Sequence, residues 1–358
     1  MRRARWFCAV ALLCWPVMAQ KARLRDAPTL WMPALVDSNS PVFWWDGQIH
    51  IYNSAGSPVL SWGPNQFAPL VSQAVQVDTQ EHFPMWIEAA WLDEDGTILA
   101  WYHHEPGGVC PGGELTAPQI GALISRDGGR SFQDLGLILT SGDPPDCSAK
   151  NGFFAGGHGD FSVILDRERQ HFYFLFGNYG GEMAGQGVGI ARLAFEDRLN
   201  PVGAVWKYYA GGWDEPGLGG RLTPIFPVGT AWQREDANAF WGPSVHWNSY
   251  LETYVVLLNH ACCEPRWPAA GVFISFNPDI GDPLGWTTPK KLMDHPHGYY
   301  PQVVGLGFGE SDTLAGQVAR FYLHGVSSWE IVFSAEDEPE EEEPEPPIED
   351  VVPPNRAP

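Results

Sequence analysis

Ala89-Ala90-Trp91-Leu92-Asp93-Glu94-Asp95-Gly96-Thr97-Ile98-Leu99-Ala100-Trp101-Tyr102 is an apolar run, a turn and a second apolar run. Asp-Gly between two such runs predicts a β-hairpin, because the central residues of a tight primed turn take positive φ and Gly does so without steric cost. The plan recurs. Ser40 to Trp45 passes through Asp46-Gly47 and returns as Gln48 to Tyr52. Ser162 to Leu165 with His171 to Phe176, Ser244 to Trp247 with Thr253 to Leu258, and Gln302 to Val304 with Ala319 to Leu323 repeat it with longer connections. Five units thus begin near residues 37, 88, 160, 243 and 301, at spacings of 51, 72, 83 and 58 residues, which suits four-stranded blades with variable loops. The expected fold is all-β, a five-bladed β-propeller in which radial repetition hides the strand edges. A β-sandwich or jelly roll is the alternative that would use similar strands.

Composition agrees with an all-β chain. Of 358 residues, 40 are Gly, 32 Pro and 17 Trp; Gly and Pro interrupt helices, and aromatics suit pleated strands. A hydrophobic content of 44% can fill a sizeable core. Acids outnumber bases 43 to 21, a formal charge of −22, which argues against a nucleic-acid partner held through phosphates.

The charge is unevenly placed, and it marks the two ends. Arg2, Arg3 and Arg5 precede a short apolar run from Trp6 to Trp15, and Val17-Met18-Ala19 offers the small residues of a cleavage site. Residues 1–19 therefore read as a secretory signal peptide, with a secreted or periplasmic product. The apolar run is about half the twenty or so residues that a membrane span requires, so no span is expected. Residues 335–358 carry ten acids and one Arg among frequent prolines; like charges and Pro cannot close a core, so this segment is expected to be a disordered, solvated tail. The body, residues 20–334, is expected to be one propeller domain, and a monomer.

Four cysteines remain in that body, Cys110, Cys147, Cys262 and Cys263. Export implies oxidation, and four cysteines allow three connectivities. Either the adjacent pair bonds to itself and Cys110 to Cys147, or one of the adjacent pair bonds elsewhere. No CxxC pair is present, which disfavours structural zinc. Walker, Rossmann, H-E-x-x-H and G-x-S-x-G patterns are also missing, which disfavours nucleotide, zincin and serine-hydrolase chemistry.

In a propeller the innermost strand of each blade begins near the central channel, so residues at the blade starts converge there. Here they are Asp37, Glu88, Asp160, Gly242-Pro243-Ser244 and Pro301-Gln302. Three of the five carry carboxylates. Glycoside cleavage needs such a set, since one ionised and one protonated carboxyl must flank the bond. Among the tryptophans, Trp86 and Trp241 are placed to stack on sugar rings at the channel mouth. His103, at the end of a blade-two strand, and Arg221 are further candidates for substrate contact. His158 stands two residues before Asp160.

Asp160-Phe161-Ser162-Val163-Ile164 is similar to the Asp-Pro-Ser-Val step of the five-bladed propeller glycosidases, the superfamily of arabinanases, xylosidases and fructosidases. Asp37 before the first inner strand and Trp241-Gly242-Pro243-Ser244-Val245, which looks like that family's Glu-Gly-Pro step, extend the resemblance. It implies a glycoside hydrolase acting on a polysaccharide or oligosaccharide, with Asp37 as base or nucleophile and Asp160 orienting the acid and raising its pKa. It also implies that a central histidine, for which His158 beside Asp160 is the preferred candidate, helps hold a calcium or sodium ion in the channel, although the chemistry requires no cofactor. The proton-donating Glu is replaced by Trp241, so Glu88 from blade two is the expected donor, with Glu215 next. A non-catalytic glycan-binding propeller is the alternative. A sialidase-like enzyme is a third reading, because Ser125-Arg126-Asp127-Gly128-Gly129-Arg130-Ser131-Phe132 fits the Asp-box pattern of sialidases and other propellers; Arg221 and Arg266 are its candidate carboxylate-binding arginines.

Overall fold

The structure, a computed structural model, describes residues 20–335. The leader expected over residues 1–19 and the acidic tail after Ala335 lie outside the described residues. The described residues form five sheets, antiparallel except where Gln76–Val77 pairs parallel with Ser131–Leu139 and Leu314–Ala315 with Asn238–Asn248. Their innermost strands are Val42–Trp45, Met85–Leu92, His158–Leu165, Asn238–Asn248 and Gln302–Gly305. Each begins within a few residues of a blade start expected from sequence.

A ring is shown by its interfaces. One apolar cluster joins blades one and two through Tyr52, Leu60, Ile87 and Leu123. Others join two to three through Trp101 and Phe174, three to four through Leu175 and Val256, and four to five through Leu257 and Phe321. A fifth, with Val42 and Ile51 against Val304 and Tyr322, joins five back to one and closes the circle. Burying two apolar faces per blade explains why its strands read as near-continuous apolar runs rather than as alternations.

Closure depends on a strand that periodicity does not reveal. Gln20–Trp31 pairs antiparallel with Val326–Ala335, from Gln20 opposite Ala335 to Trp31 opposite Val326, and so becomes the outer strand of blade five. Four of its twelve residues are charged, as suits an outermost strand that buries few side chains; Ala22 and Leu24 pack on the blade four and five core. The first and last described strands are thereby fastened in one sheet.

The Asp-Gly turns divide into two kinds. Asp46 and Gly47 take φ of 48° and 71° and directly connect paired Trp45 and Gln48, as a two-residue primed turn should. At Asp95-Gly96 only Gly96 is left-handed, at φ 83°. Here Leu92 pairs with Ile98, and the Asp95 carboxylate accepts the Thr97 amide at 2.9 Å, so side-chain capping builds a longer loop. At Ser125–Phe132, Asp127 accepts from the Arg130 and Ser131 amides at 3.1 and 3.0 Å, binding the turn backbone. No helix among the described residues is long and apolar enough to cross a membrane.

Near the axis, Asn39 Nδ2 donates to the carbonyls of Phe161 and Pro243, both at 2.9 Å, which ties the approach to blade one to the inner strands of blades three and four. Gln302 reaches across from blade five and exchanges two hydrogen bonds with the Ser40 backbone, at 2.7 and 2.8 Å.

Candidate active site at one end of the channel

Three of the five inner strands carry a bulge at the same level. Register shifts fall between Ile87 and Ala89, between Gly159 and Phe161, and between Trp241 and Ser244. The residues displaced from the ladders are Glu88, Asp160 and Gly242-Pro243. A bulge re-aims a side chain out of the regular alternation, which is why such irregularities gather at sites. Asp160 accepts a φ of 42° to do so, a conformation that non-glycine residues hold only when their surroundings impose it. Gly157, just upstream, is required by space: a Cβ there would lie 2.6 Å from the backbone of Ala117 and Pro118.

A cavity of about 370 Å³ opens at this end. Its wall carries the carboxyls of Asp37, Glu105, Glu114 and Asp160, the cationic side chains of His103 and Arg266, and the rings of Trp86, Phe153, Trp241, Trp267, Tyr299 and Tyr300. Asp37, Asp160, His103, Trp86 and Trp241 are thus brought together, as the blade starts suggested.

Glu88 is not among the lining residues. It is only 1% exposed and sits behind the wall, where its carboxylate takes a hydrogen bond from His103 Nδ1 and another from the Phe161 amide at 3.2 Å. That burial removes it as a direct proton donor to a bound sugar. Glu215 is also distant: it pairs with Arg221 at 2.5 Å on the outer strand of blade three, beside Tyr209. Arg221 therefore does not reach the cavity, and Arg266 is the one arginine in its wall. A three-arginine carboxylate clamp of the sialidase kind is not assembled here.

Burial and charge set the protonation states. Burial raises the pKa of Asp160 to about 7, with His103 opposing, Glu88 reinforcing and the Tyr179 hydroxyl opposing through its hydrogen bond. Burial likewise raises Glu88, against the pull of His103. For His103, burial works against the imidazolium, but Glu88, Glu105 and Asp160 outweigh it and hold the pKa well above the ordinary value. His103 is therefore the cation of the cluster, with Glu105 3.5 Å from its Nε2 and the Trp86 indole stacked on its ring at 4.7 Å. Asp37 is the open carboxyl: burial raises its pKa, and His103 and His324 counteract.

A metal does not suit these residues. Glu88, His103 and Asp160 have ligand atoms within 4.8 Å of one another, but His103 spends Nδ1 on Glu88, and both carboxylates already accept protein hydrogen bonds. A ligating histidine must be neutral with a free nitrogen. His158 lies elsewhere in the wall of blade three, buried against the Phe176 ring at 4.8 Å, with burial and then the nearby Lys207 ammonium pushing its pKa down. It belongs to no group of three or more potential ligands among the described residues.

Several wall residues were not legible in sequence. Glu105 and Glu114 lie in the aperiodic loop after His104, Trp267 lies in a loop within blade four, and Phe153 and Tyr299-Tyr300 lie in connections between blades. The one available signal was Cys110 and Cys147, whose disulfide fastens the loop of Glu114 to the loop of Phe153. Cys262 and Cys263 are bonded to each other, just before Arg266 and Trp267.

No protein-family model matches the chain, and no curated protein matches it. Among solved structures, it is similar to a thermostable family-43 glycoside hydrolase, with a TM-score of 0.50 at 10% identity over 88% of this chain and 98% of that one. It is also similar to the endo-arabinase from Bacteroides thetaiotaomicron VPI-5482, with a TM-score of 0.50 at 11% identity over 87% of this chain and 97% of that one. What is shared at these identities is the five-bladed propeller.

Proposed function

We propose that this chain is a glycoside hydrolase acting in the cavity of Asp37 and Asp160. The observation that carries the reading is that these two carboxyls, one open to solvent and one enclosed, line a single aromatic-walled cavity. Asp160, kept partly protonated near neutrality, gives its proton to the leaving oxygen as the glycosidic C–O bond breaks. Asp37, ionised, either deprotonates the water that adds to the anomeric carbon or adds to it directly. Glu88 acts through His103: it holds the imidazolium in place, and that positive charge sits beside the cavity carboxylates. Trp86 and Trp241 supply faces on which a sugar ring can lie. Relative to the roles implied by the family resemblance, Asp160 moves from modulator to donor, because Trp241 occupies the usual donor's place and Glu88 is enclosed.

Export to an oxidising compartment accompanies this reading, supported by the signal-like leader and the two disulfides. Release of reducing ends from arabinan, xylan, galactan, fructan and amino-sugar polymers tests the function. Release from any one supports it, and no release from the whole panel sinks it. The aromatic lining and Trp241 favour a second reading, a glycan-binding propeller, under which binding persists without hydrolysis.

A further inference from the structure

We infer that the sugar accepted by this cavity carries a protonated amine, as a hexosamine unit without its acetyl group does. The inference rests on the glycan reading above and narrows it. Glycoside cleavage employs two carboxyls, yet four line this wall, and Glu105 and Glu114 are the additional pair. Of the two cations, His103 is already matched from behind by Glu88 and shared in front by Glu105, 3.5 Å from its Nε2, which leaves Glu114 as the added carboxyl without a cation of its own. Arg266 alone faces the remaining negative charge, in a chain whose formal charge is −22. A concave wall of one sign focuses its field on the ligand, so it repels a uronate or a sulfated sugar and attracts an ammonium.

The placement of the groups adds to the field. Glu105 and Glu114 come from the blade-two loop, whereas Trp241 and Trp267 come from blade four and Tyr299 and Tyr300 from the approach to blade five. The added acids and this group of rings therefore come to the one cavity wall from different blades. Trp241 lies 5.3 Å from the Tyr299 ring and 5.7 Å from that of Trp267, forming an aromatic corner. An ammonium between a carboxylate and such faces gains from both, by charge pairing and by the ring quadrupoles. The Cys110–Cys147 bond holds the Glu114 loop in position before any ligand arrives. Glu114, exposed at the rim, has no ion-pair partner among the described residues and is free to accept that charge.

Calorimetric titration of the whole protein with the β-1,4 glucosamine tetramer and with cellotetraose tests this, since the two differ only in amine against hydroxyl at C2. At low salt, and at a pH where the amines are protonated, the amine tetramer should bind at least about tenfold tighter, a gain that one favourable charge contact near a surface can supply. The ratio should shrink in about 0.5 M salt, where screening reaches within a few ångströms, and should narrow about threefold or more in Glu114→Gln, by loss of that charge. Equal affinity, failure of the amine tetramer to bind, or tighter binding of its N-acetylated form or of tetragalacturonate overturns the inference. The titration is repeated with Asp160→Asn so that binding is read apart from turnover. If the preference holds while the parent cleaves nothing, the hydrolase reading falls and the ligand class stands. If the parent cleaves neutral glycans and shows no preference, the reverse is true.

Discussion

The phenol of Tyr179 donates a hydrogen bond to the carboxylate of Asp160, and both groups are enclosed. A donor of this kind favours the ionised form, so it restrains a pKa that burial drives up to about 7. In Tyr179→Phe that restraint is removed and the Asp160 pKa rises further. If Asp160 is the proton donor, activity falls as pH climbs through its pKa, so the alkaline limb of the pH–rate profile should move to higher pH in the variant. A limb that stays in place, or moves down, contradicts the assignment.

The same carboxyl governs a pH dependence of stability. Its folded pKa of about 7 lies above the ordinary 3.8, so the folded chain holds that proton more tightly than the unfolded chain. This favourable contribution is complete below about pH 4 and is lost as pH rises to about 7. Asp160→Asn is neutral throughout. Relative to the parent, the variant should gain melting temperature between pH 5 and pH 8, with the gain levelling off above. A relative gain that instead grows on acidification would show that the carboxylate is stabilising where it lies.

Blade five depends on Gln20–Trp31, which supplies its outer strand and packs Ala22 and Leu24 on the core. Removing residues 20–31 leaves the long edge of Val326–Ala335 unpaired, and an open edge invites association between chains. The truncated protein should melt lower and sediment as aggregates. A truncated monomer with parental melting temperature would show that the ring closes without this strand.

The ring was legible in the sequence, and the wall only in part. Apolar runs flanking Asp46-Gly47 and Asp95-Gly96 announced hairpins, although the Asp95 side chain builds a longer loop than the dipeptide suggests. Asp160 was visible from its place before Phe161-Ser162-Val163. Glu88 held an equivalent place, yet a bulge and His103 draw it behind the cavity, and no one-dimensional pattern reports a bulge. Arg221 was singled out by residue type alone and His158 by its place beside Asp160, and neighbours in space, Glu215 for one and Phe176 for the other, decide their surroundings. Glu105, Glu114 and Trp267 sit in connections without period, where only folding brings them to the mouth.

Non-reducing peptide mapping should recover Cys110 joined to Cys147 and Cys262 joined to Cys263, with no free thiol. Opening the first bond with Cys110→Ser and Cys147→Ser frees a loop of 37 residues, which corresponds to up to about 4 kcal/mol of stability in the chain-entropy account. The double variant should therefore unfold at lower denaturant, and its glycan affinity should fall because the Glu114 loop is no longer fastened. Unchanged affinity would mean that this loop does not take part in binding.

The claim that Asp37 and Asp160 perform the chemistry is tested most directly by single turnover of a cleaved glycan with Asp37→Asn and Asp160→Asn beside the parent. Amides are near-isosteric with carboxyls, so both variants should keep the fold and bind the glycan, while each loses at least about a hundredfold in rate, as removal of an acid or base does. Parental rates in either variant, with binding intact, would contradict the account.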